Sequence, residues 1–256
     1  MATGHLELKY PIFLVHGMGA RSTYGPVNYF YGLPKLLRES KNRVHIAKLT
    51  AWQTIECRSQ QLKLQIEKFF PDSKINLVGH SMGGLDARYL ASQLDFTDRI
   101  ASVTTIGTPN RGSLMGDIAL GLVPDSAYSV TDRLLKLFDS TGEALKQVSR
   151  KYCTTELLQV APNRPNVAYF SATSAITRPL FKNALPFFWI PHGILMKTEG
   201  DNDGFVSVES ATWGDHICTY AGDHYAQIGQ FVGYSRGMNY MNFYNEIFRH
   251  LKSQGM

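Results

Sequence analysis

The chain has 256 residues, of which 44% are apolar, and a formal net charge of +5 at pH 7. This length fits one large α/β domain or two small ones, and the apolar fraction can supply a full hydrophobic core. No apolar run approaches the roughly 18 to 20 residues that a membrane-spanning helix needs. The basic residues are dispersed and form no nucleic-acid-binding motif. We therefore expect a solvated, mildly basic surface, no nucleic-acid partner and no transmembrane segment.

The cellular compartment is only weakly indicated. The N-terminus lacks the cationic, apolar and small-residue pattern of a signal peptide, because residues 10–15 are typical of a strand. We therefore expect no signal peptide in the sequence as given, and a cytoplasmic location by default. The three cysteines, Cys57, Cys153 and Cys218, allow at most one internal disulfide and have no metal-site spacing. We expect them to be structural thiols.

Strand-length apolar runs alternate with helical patterns along most of the chain. The expected strands lie at residues 10–15, 44–49, 75–78, 100–106 and 166–171. Helical stripes lie at 29–37, 62–70, 85–94 and 240–251, and the first of these helices is expected to start at or near Pro34. Such alternation predicts an α/β fold with a mostly parallel sheet and helices on both faces. Functional groups in such sheets lie at the carboxyl ends of strands, where His16, Ser81 and Thr108 are expected.

The segment at about 111–165 interrupts this alternation with helical patterns and no convincing strand. Its first apolar stripe includes Leu114, Ile118 and Leu122, which repeat at helical spacing. We predict a single domain over residues 1–256 with this segment inserted as a helical cap or lid. The three stripe residues are then candidates for lid and substrate contacts. The alternative is a fixed helix packed on the sheet.

The most informative motif is Gly-X-Ser-X-Gly at residues 79–83, centred on Ser81. A short apolar strand precedes it and a helix-forming run follows it. A sharp strand-to-helix turn exposes the serine hydroxyl beside a base, and its glycines avoid side-chain clashes in the bend. Ser81 is therefore the predicted nucleophile. The backbone N–H of Met82 would point at a developing oxyanion.

On this strand–turn–helix scaffold, the acid and the base of a triad follow the serine in the order Asp or Glu, then His. His224 lies in a polar turn after a β-like run and is favoured as the base over His216. Asp203 lies in a Gly-Asp-Asn-Asp-Gly turn and is favoured as the acid over Asp201. The triad predicted from these patterns is Ser81, Asp203 and His224.

A second oxyanion donor is expected in the loop that follows the first strand. The sequence His16-Gly17-Met18-Gly19 lies there, and the backbone N–H of Met18 is the predicted donor. His16 itself is expected to brace this loop and not to take part in catalysis.

Five motifs in order resemble one known family: Val15-His-Gly-Met18, Tyr31-Gly-Leu-Pro34, Leu77-Val-Gly-His-Ser-Met-Gly-Gly84, Gly107-Thr-Pro-Asn-Arg-Gly-Ser113 and Asn202-Asp-Gly-Phe-Val206. Together they are similar to the bacterial true lipases of the Pseudomonas–Proteus–Burkholderia type, within the α/β-hydrolases. The resemblance spans nearly the whole chain. It implies the same triad and oxyanion donors, a mobile lid over an acyl pocket, and secretion if the likeness extends to export.

The chain departs from this family at one site. These lipases usually hold a structural calcium near the catalytic His, partly through an Asp two positions after it, where this chain has Ala226. No Asp occurs between residues 173 and 200, and Gln230, which matches the pattern, would contribute little. Because calcium prefers several hard oxygen ligands, we predict no metal and no other cofactor.

The expected function is carboxylic ester hydrolysis through an acyl-enzyme on Ser81, with a triacylglycerol lipase as the leading hypothesis. A carboxylesterase, thioesterase or phospholipase would use the same triad, so the motifs leave these alternatives open. A non-catalytic binding protein of this fold would need a lost triad position, and none is lost. The expected partner is a lipid or ester substrate at a lipid–water surface.

Overall fold

Six parallel strands form the central sheet of the protein. The computed structural model describes residues 6–93, 95–122, 142–230, 233 and 237–256. In spatial order the strands are β4 (Val44–Ile46), β1 (Ile12–Val15), β5 (Ile75–His80), β6 (Ile100–Ile106), β7 (Ala168–Ala175) and β8 (Asp215–Ala221). Every neighbouring pair is parallel, and Leu14 pairs with both Ile46 and Val78. A separate antiparallel pair joins β2 (Thr23–Tyr24) to β3 (Val27–Asn28).

Helices connect the strands of the sheet. In the described part of the chain they are α1 (Leu33–Glu39), α2 (Ile55–Phe69), α3 (Met82–Ser92), α4 (Leu114–Ala119), α5 (Glu143–Lys146), α6 (Arg150–Thr154), α7 (Glu156–Val160), α8 (Leu180–Asn183), α9 (Trp189–Thr198), α10 (Val208–Ala211) and α11 (Tyr240–Ser253). None of these helices combines the length and the apolarity that a membrane crossing requires.

Alternate residues of the strands supply two separate hydrophobic layers. Ile12 and Leu14 of β1 face a cluster built with α1 and α11, whereas Phe13 and Val15 face a cluster built with α2 and α3. This arrangement follows from the twofold alternation of side chains along a strand. Helices therefore cover both faces of a parallel sheet, as the sequence predicted, and the predicted fold class is confirmed.

The first predicted helix begins next to Pro34, as the sequence indicated. The apolar stripe extends back to Tyr29, but α1 starts at Leu33, after Gly32 with a backbone φ of 68°. Pro34 lies in the first helical turn, where its missing N–H has no helical partner to lose. The ring of Tyr29 is buried instead beneath the carboxyl ends of β1 and β5, where its hydroxyl contacts Gly17 and His80.

The inserted segment contains no strand among its described residues, 111–122 and 142–165. Residues 123–141, the centre of the predicted lid, lie outside the described residues. Beyond them, Leu145, Val148 and Tyr152 pack on Met82 and Leu85 of α3. The described second half of the insertion therefore packs on the helix that follows Ser81.

All three cysteines are free thiols. Cys153 is buried, and burial raises its pKa to about 12. Cys57 and Cys218 are partly buried. The single disulfide that the sequence allowed is not formed. Cys153 fits the expectation of a buried structural thiol best, because it alone of the three is fully buried.

Neighbouring atoms pack closely against the glycines that follow the turn between β5 and α3. Ser81 adopts a left-handed backbone conformation, with φ 56° and ψ −133°, which non-glycine residues rarely occupy. A Cβ atom on Gly83 would lie 2.4 Å from the carbonyl oxygen of Val15, and one on Gly84 only 2.0 Å from Oγ1 of Thr108. These contacts leave no room for a side chain, so α3 lies directly against the end of β1.

We expect Gly83→Ala to lower the melting temperature by several degrees, because overpacking against a rigid backbone costs about 1 to 3 kcal/mol. The matched control is Gly193→Ala in α9, where an added Cβ would meet nothing within 4 Å. That substitution should stabilise the helix slightly. Thermal denaturation followed by circular dichroism compares the two, and equal melting temperatures would contradict this account of the turn.

Candidate active site

Ser81 lies at the floor of a small cavity at the carboxyl edge of the sheet. The cavity has a volume of about 90 Å³ and is lined by Met18, Ser81, Met82, Pro109, Ser113, Met115, Gly116, Leu145, Val148, Phe205 and Val206. Both predicted oxyanion donors, Met18 and Met82, are therefore beside Ser81. Nearly all of the other lining residues are apolar, which suits an acyl group better than a charged ligand.

The structure brings Asp203 and His224 together. Nδ1 of His224 lies 2.7 Å from Oδ2 of Asp203, and the backbone N–H of His224 donates to the Asp203 carbonyl at 2.9 Å. The other carboxylate oxygen accepts the backbone N–H groups of Phe205 and Val206 at 2.9 and 2.8 Å. With both oxygens bonded, the buried carboxylate holds the imidazole in the tautomer that carries its proton on Nδ1. Nε2 of His224 is then left as the basic atom.

The two alternatives weighed from the sequence lie elsewhere. His216 is exposed on β8 and its ring contacts Ser171 and Thr219. Asp201 is exposed, and its backbone carbonyl accepts the N–H of Val208. The geometry therefore favours Asp203 and His224 as the acid and the base.

Gln227 is a site residue that sequence reasoning missed. Its Nε2 donates to Oδ2 of Asp203 at 2.8 Å and to Oγ of Ser174 at 2.6 Å. A Cβ atom on Gly107, where φ is 50°, would lie 2.1 Å from Oε1 of Gln227. Gln227 thus gives the Asp203 carboxylate a fourth hydrogen bond. Its position three residues after His224, within one turn, was the available signal.

Asp223 was also missed, and its carboxylate organises the loop that carries His224. Oδ1 accepts the backbone N–H groups of Tyr225 and Ala226 at 3.0 and 2.9 Å, and Oδ2 accepts that of Leu185 at 2.8 Å. Burial raises the pKa of the Asp223 carboxyl, which these hydrogen bonds oppose. Asp223 therefore joins the His224 loop to the segment before α9.

A buried polar chain connects the first loop to the base. The N–H of Gly17 donates to the Tyr29 hydroxyl at 3.3 Å, and that hydroxyl lies 2.8 Å from Nδ1 of His80. Nε2 of His80 lies 3.1 Å from the His224 carbonyl oxygen, which can only accept, so the His80 proton resides on Nε2. Burial, and then the neighbouring His224, lower the pKa of His80 well below its usual range. His80 is consequently a neutral positioning group.

A buried ion pair fixes the loop that contains Met18. The guanidinium of Arg58 contacts Oδ2 of Asp86 at 2.8 Å, and both side chains are fully buried. The same guanidinium donates to the carbonyl oxygens of His16 at 2.7 Å and Thr50 at 2.8 Å. Burial raises the pKa of Asp86 to about 6, although Arg58 opposes this shift. Arg58 thus connects helix α3 to the loop of the predicted oxyanion donor.

His16 has the bracing role that the sequence predicted. The N–H of Leu49 donates to its Nε2 at 3.2 Å, and its carbonyl binds Arg58. Burial, followed by the charge of Arg58, lowers the pKa of His16 to about 4, so it is neutral near pH 7.

The three candidate lid residues are distributed differently from the prediction. Leu114 and Ile118 are 4% and 3% exposed and pack on Leu195 of α9. Leu122 is 60% exposed, and none of the three lines the cavity at Ser81. Met115, on the same helix, does line it. Their roles as lid or substrate contacts stay predictions.

The residues near His224 do not fit the calcium site of the resembled family. Ala226 offers no side-chain oxygen, and the Asp223 carboxylate is occupied by three backbone N–H groups. Within the described ranges, no cluster of three or more His, Cys, Asp or Glu side chains could hold a metal.

Sequence comparison connects the chain to known proteins. A family model described as the alpha/beta hydrolase fold matches residues 58–176. A triacylglycerol lipase of Vibrio cholerae is 36% identical over 155 residues, which cover 56% of this chain and 49% of the relative. Triacylglycerol lipase 2 of Saccharomyces cerevisiae is 33% identical over 201 residues, which cover 74% of this chain and 58% of the relative. The chain thus spans about half the length of these curated relatives.

Structure comparison agrees on the fold. The crystal structure of the Bacillus licheniformis lipase BlEst2 in its mature form superimposes with a TM-score of 0.70. The superposition covers 94% of this chain and 92% of that chain, at 19% sequence identity. At this level of identity the likeness establishes the fold alone. Together with the sequence matches, it confirms the resemblance to bacterial lipases of the α/β-hydrolase fold.

We expect EDTA to change neither the melting temperature nor the activity, since hydrogen bonds to Asp223 hold the His224 loop in place of an ion. Asp223→Ala should instead destabilise the protein by about 1.5 to 3 kcal/mol, the size of hydrogen bonds to a buried charge. The matched control is Asp72→Ala at an exposed position. A fall in melting temperature with EDTA that calcium restores would disprove the prediction.

Proposed function

We propose that this chain, which belongs to the α/β-hydrolase superfamily, is a serine-dependent carboxylic ester hydrolase of the lipase type. The observation that carries the proposal is the Asp203–His224 hydrogen bond of 2.7 Å, together with a serine held in a strained strand-to-helix turn. The sequence similarity to triacylglycerol lipases supports the same reaction class.

The proposed reaction uses the three residues in two half-reactions. His224 takes the proton from the Ser81 hydroxyl while Oγ attacks the ester carbonyl carbon. The backbone N–H groups of Met18 and Met82 stabilise the oxyanion, and His224 then gives its proton to the departing alcohol. His224 then takes a proton from a water molecule as the water oxygen attacks the acyl carbonyl carbon. The bond from that carbon to Oγ of Ser81 breaks, His224 returns the proton to Oγ, and the acid is released. Asp203 remains ionised and stabilises the imidazolium in both halves.

The proposed substrate is an acyl ester of a lipid, with a triacylglycerol as the leading candidate. The apolar lining of the cavity favours an acyl chain over a polar group. Its volume of about 90 Å³ is well below the roughly 300 Å³ at which ligand pockets begin. A long chain would therefore require neighbouring segments to move, which agrees with a lid within residues 111–165.

A carboxylesterase, thioesterase or phospholipase would proceed through the same acyl-enzyme, so substrate preference separates these alternatives. A panel of esters from acetyl to oleoyl, tested below and above their solubility limits, distinguishes them. Higher activity on long-chain esters above the solubility limit supports a lipase, whereas activity confined to soluble short esters indicates a carboxylesterase.

Labelling with a serine-directed fluorophosphonate tests the catalytic proposal against a non-catalytic binding protein. The probe should bind the wild-type chain covalently, and Ser81→Ala should abolish labelling because Oγ of Ser81 forms the bond. A matched control is Ser92→Ala on the same helix, which should keep the label. Absence of labelling in the folded wild-type protein would refute the proposal.

We expect Ser81→Ala or His224→Ala to remove essentially all ester hydrolysis, a loss of about 10⁶, because the triad acts as a unit. Asp203→Asn should cost about 10⁴ by favouring the wrong histidine tautomer. Asp201→Asn is the control and should stay near wild type in a soluble-ester assay. The assignment of the acid is wrong if Asp201→Asn is inactive and Asp203→Asn is not.

The proposed lid is tested by replacing Ile118 and Leu122 with Ser. Activity on emulsified long-chain triglyceride should fall far more than activity on a soluble butyryl ester, because only the emulsion compensates for exposed apolar area. Equal losses on both substrates, with a lower melting temperature, would assign these residues to a fixed core. The burial of Ile118 against Leu195 makes the melting temperature an essential second measurement.

A further inference from the structure

A short segment exposes an unusual amount of apolar surface. Phe181, Phe187, Trp189, Ile190 and Met196 are between 38% and 63% exposed, and they fall within the sixteen residues 181–196. Six other large apolar side chains in the described part of the chain are comparably exposed, and they are spread from Tyr24 to Val160. We call the five clustered side chains the apolar face. Large apolar side chains that are exposed so close together along a chain are candidates for an interaction site.

Buried side chains of the same segment anchor the apolar face. Phe188 and Leu195 are fully buried, and Phe188 packs edge-on against Phe205 and Tyr225. Leu195 packs with Leu114 and Ile118 of α4. Since these contacts fix the backbone of the segment, the five exposed side chains are presented outward by a supported surface.

The charge on this segment has a single sign. Arg178, Lys182 and Lys197 are all exposed, and no Asp or Glu occurs between residues 177 and 198. Lysine and arginine at the border of an aromatic surface are typical of elements that lie at a membrane interface. There the cations meet anionic headgroups while the apolar groups enter the acyl boundary.

The apolar face is continuous with the candidate active site. The ring of Phe187 lies 5.8 Å from that of Phe205, and the ring of Phe205 lies 5.3 Å from the imidazole of His224. Phe205 also lines the cavity at Ser81. A surface bound at the apolar face would therefore lie next to the cavity that holds the nucleophile.

We propose that residues 178–197 form a docking face for an anionic lipid surface, with Phe181, Phe187, Trp189, Ile190 and Met196 entering the acyl boundary. This docking role rests on the proposed function, because the proposed lipid ester substrate is found at a lipid surface. The charge favours this occupant over a second copy of the chain, because two such faces would oppose three cations to three cations.

The test is co-sedimentation of the full chain, carrying Ser81→Ala to prevent hydrolysis, with phosphatidylcholine vesicles that contain or lack phosphatidylglycerol. We expect binding to be stronger with phosphatidylglycerol and to weaken as salt is raised. Phe181→Ser with Ile190→Ser should lower the partition coefficient by about tenfold or more, from lost apolar burial. Lys182→Gln with Lys197→Gln should lower it by about fivefold for each charge removed.

Matched controls separate binding through this face from nonspecific adsorption by other exposed apolar side chains and from an effect of net charge. Leu64→Ser with Phe69→Ser replaces two comparably exposed apolar residues of α2, and Lys35→Gln with Lys68→Gln removes the same charge elsewhere. Both control pairs should bind vesicles like the Ser81→Ala parent. With Ser81 restored, Phe181→Ser with Ile190→Ser should hydrolyse a soluble ester at the wild-type rate.

Each outcome decides the proposal. Selective loss of vesicle binding in the two segment variants supports it, whatever the ester assay shows, because binding is measured without turnover. Equal binding by segment and control variants overturns it. Concentration-dependent dimers in light scattering that Ile190→Ser abolishes, with vesicle binding unchanged, would identify a second copy as the occupant and overturn it as well. Absence of soluble-ester hydrolysis with intact vesicle binding refutes the proposed reaction alone.

Discussion

The site depends on one backbone constraint, the left-handed conformation of Ser81 between β5 and α3. A residue with a side chain is strained there by about 1 to 3 kcal/mol, so the surrounding structure must hold it. Close backbone packing keeps Ser81 in this conformation, since Gly83 lies against the carbonyl oxygens of Val15 and His16. Parallel strand pairing of β1 with β5 places those carbonyl groups at the same edge. The position of the serine is thus a consequence of sheet register.

Buried polar groups supply the second level of organisation. Arg58 and Asp86 are fully desolvated, which would be costly if either lacked a partner, and Arg58 meets this cost by binding backbone carbonyl groups as well. The Tyr29–His80 contact leads in turn to the His224 carbonyl oxygen. The loop carrying Met18 and the loop carrying His224 are therefore both held by hydrogen bonds between buried groups.

The segment between β7 and α10 connects this rigid centre to the surface. Its N-terminal part is held by Asp223, which accepts the N–H of Leu185, and its aromatic core packs on Phe205 beside His224. The apolar stripe of α4 packs against its inner side. Movement of this segment relative to α4 would alter the cavity wall, because Phe205 of the segment and Met115 of α4 both line the cavity at Ser81.

The sequence by itself determined the parallel α/β sheet, because strand and helix periods alternate clearly, and its turn motifs of fixed order predicted Ser81, Asp203 and His224 as the triad. Local patterns also predicted Met18 and Met82 as the oxyanion donors. Only the tertiary structure decided that the Tyr29 hydroxyl lies beside His80, that Gln227 binds Asp203 and that Asp223 holds the loop of His224. It also decided that Leu114 and Ile118 are buried while five apolar side chains within residues 181–196 are exposed. These features depend on contacts between residues distant in the chain, whereas helical period alone cannot tell a buried stripe from an exposed one.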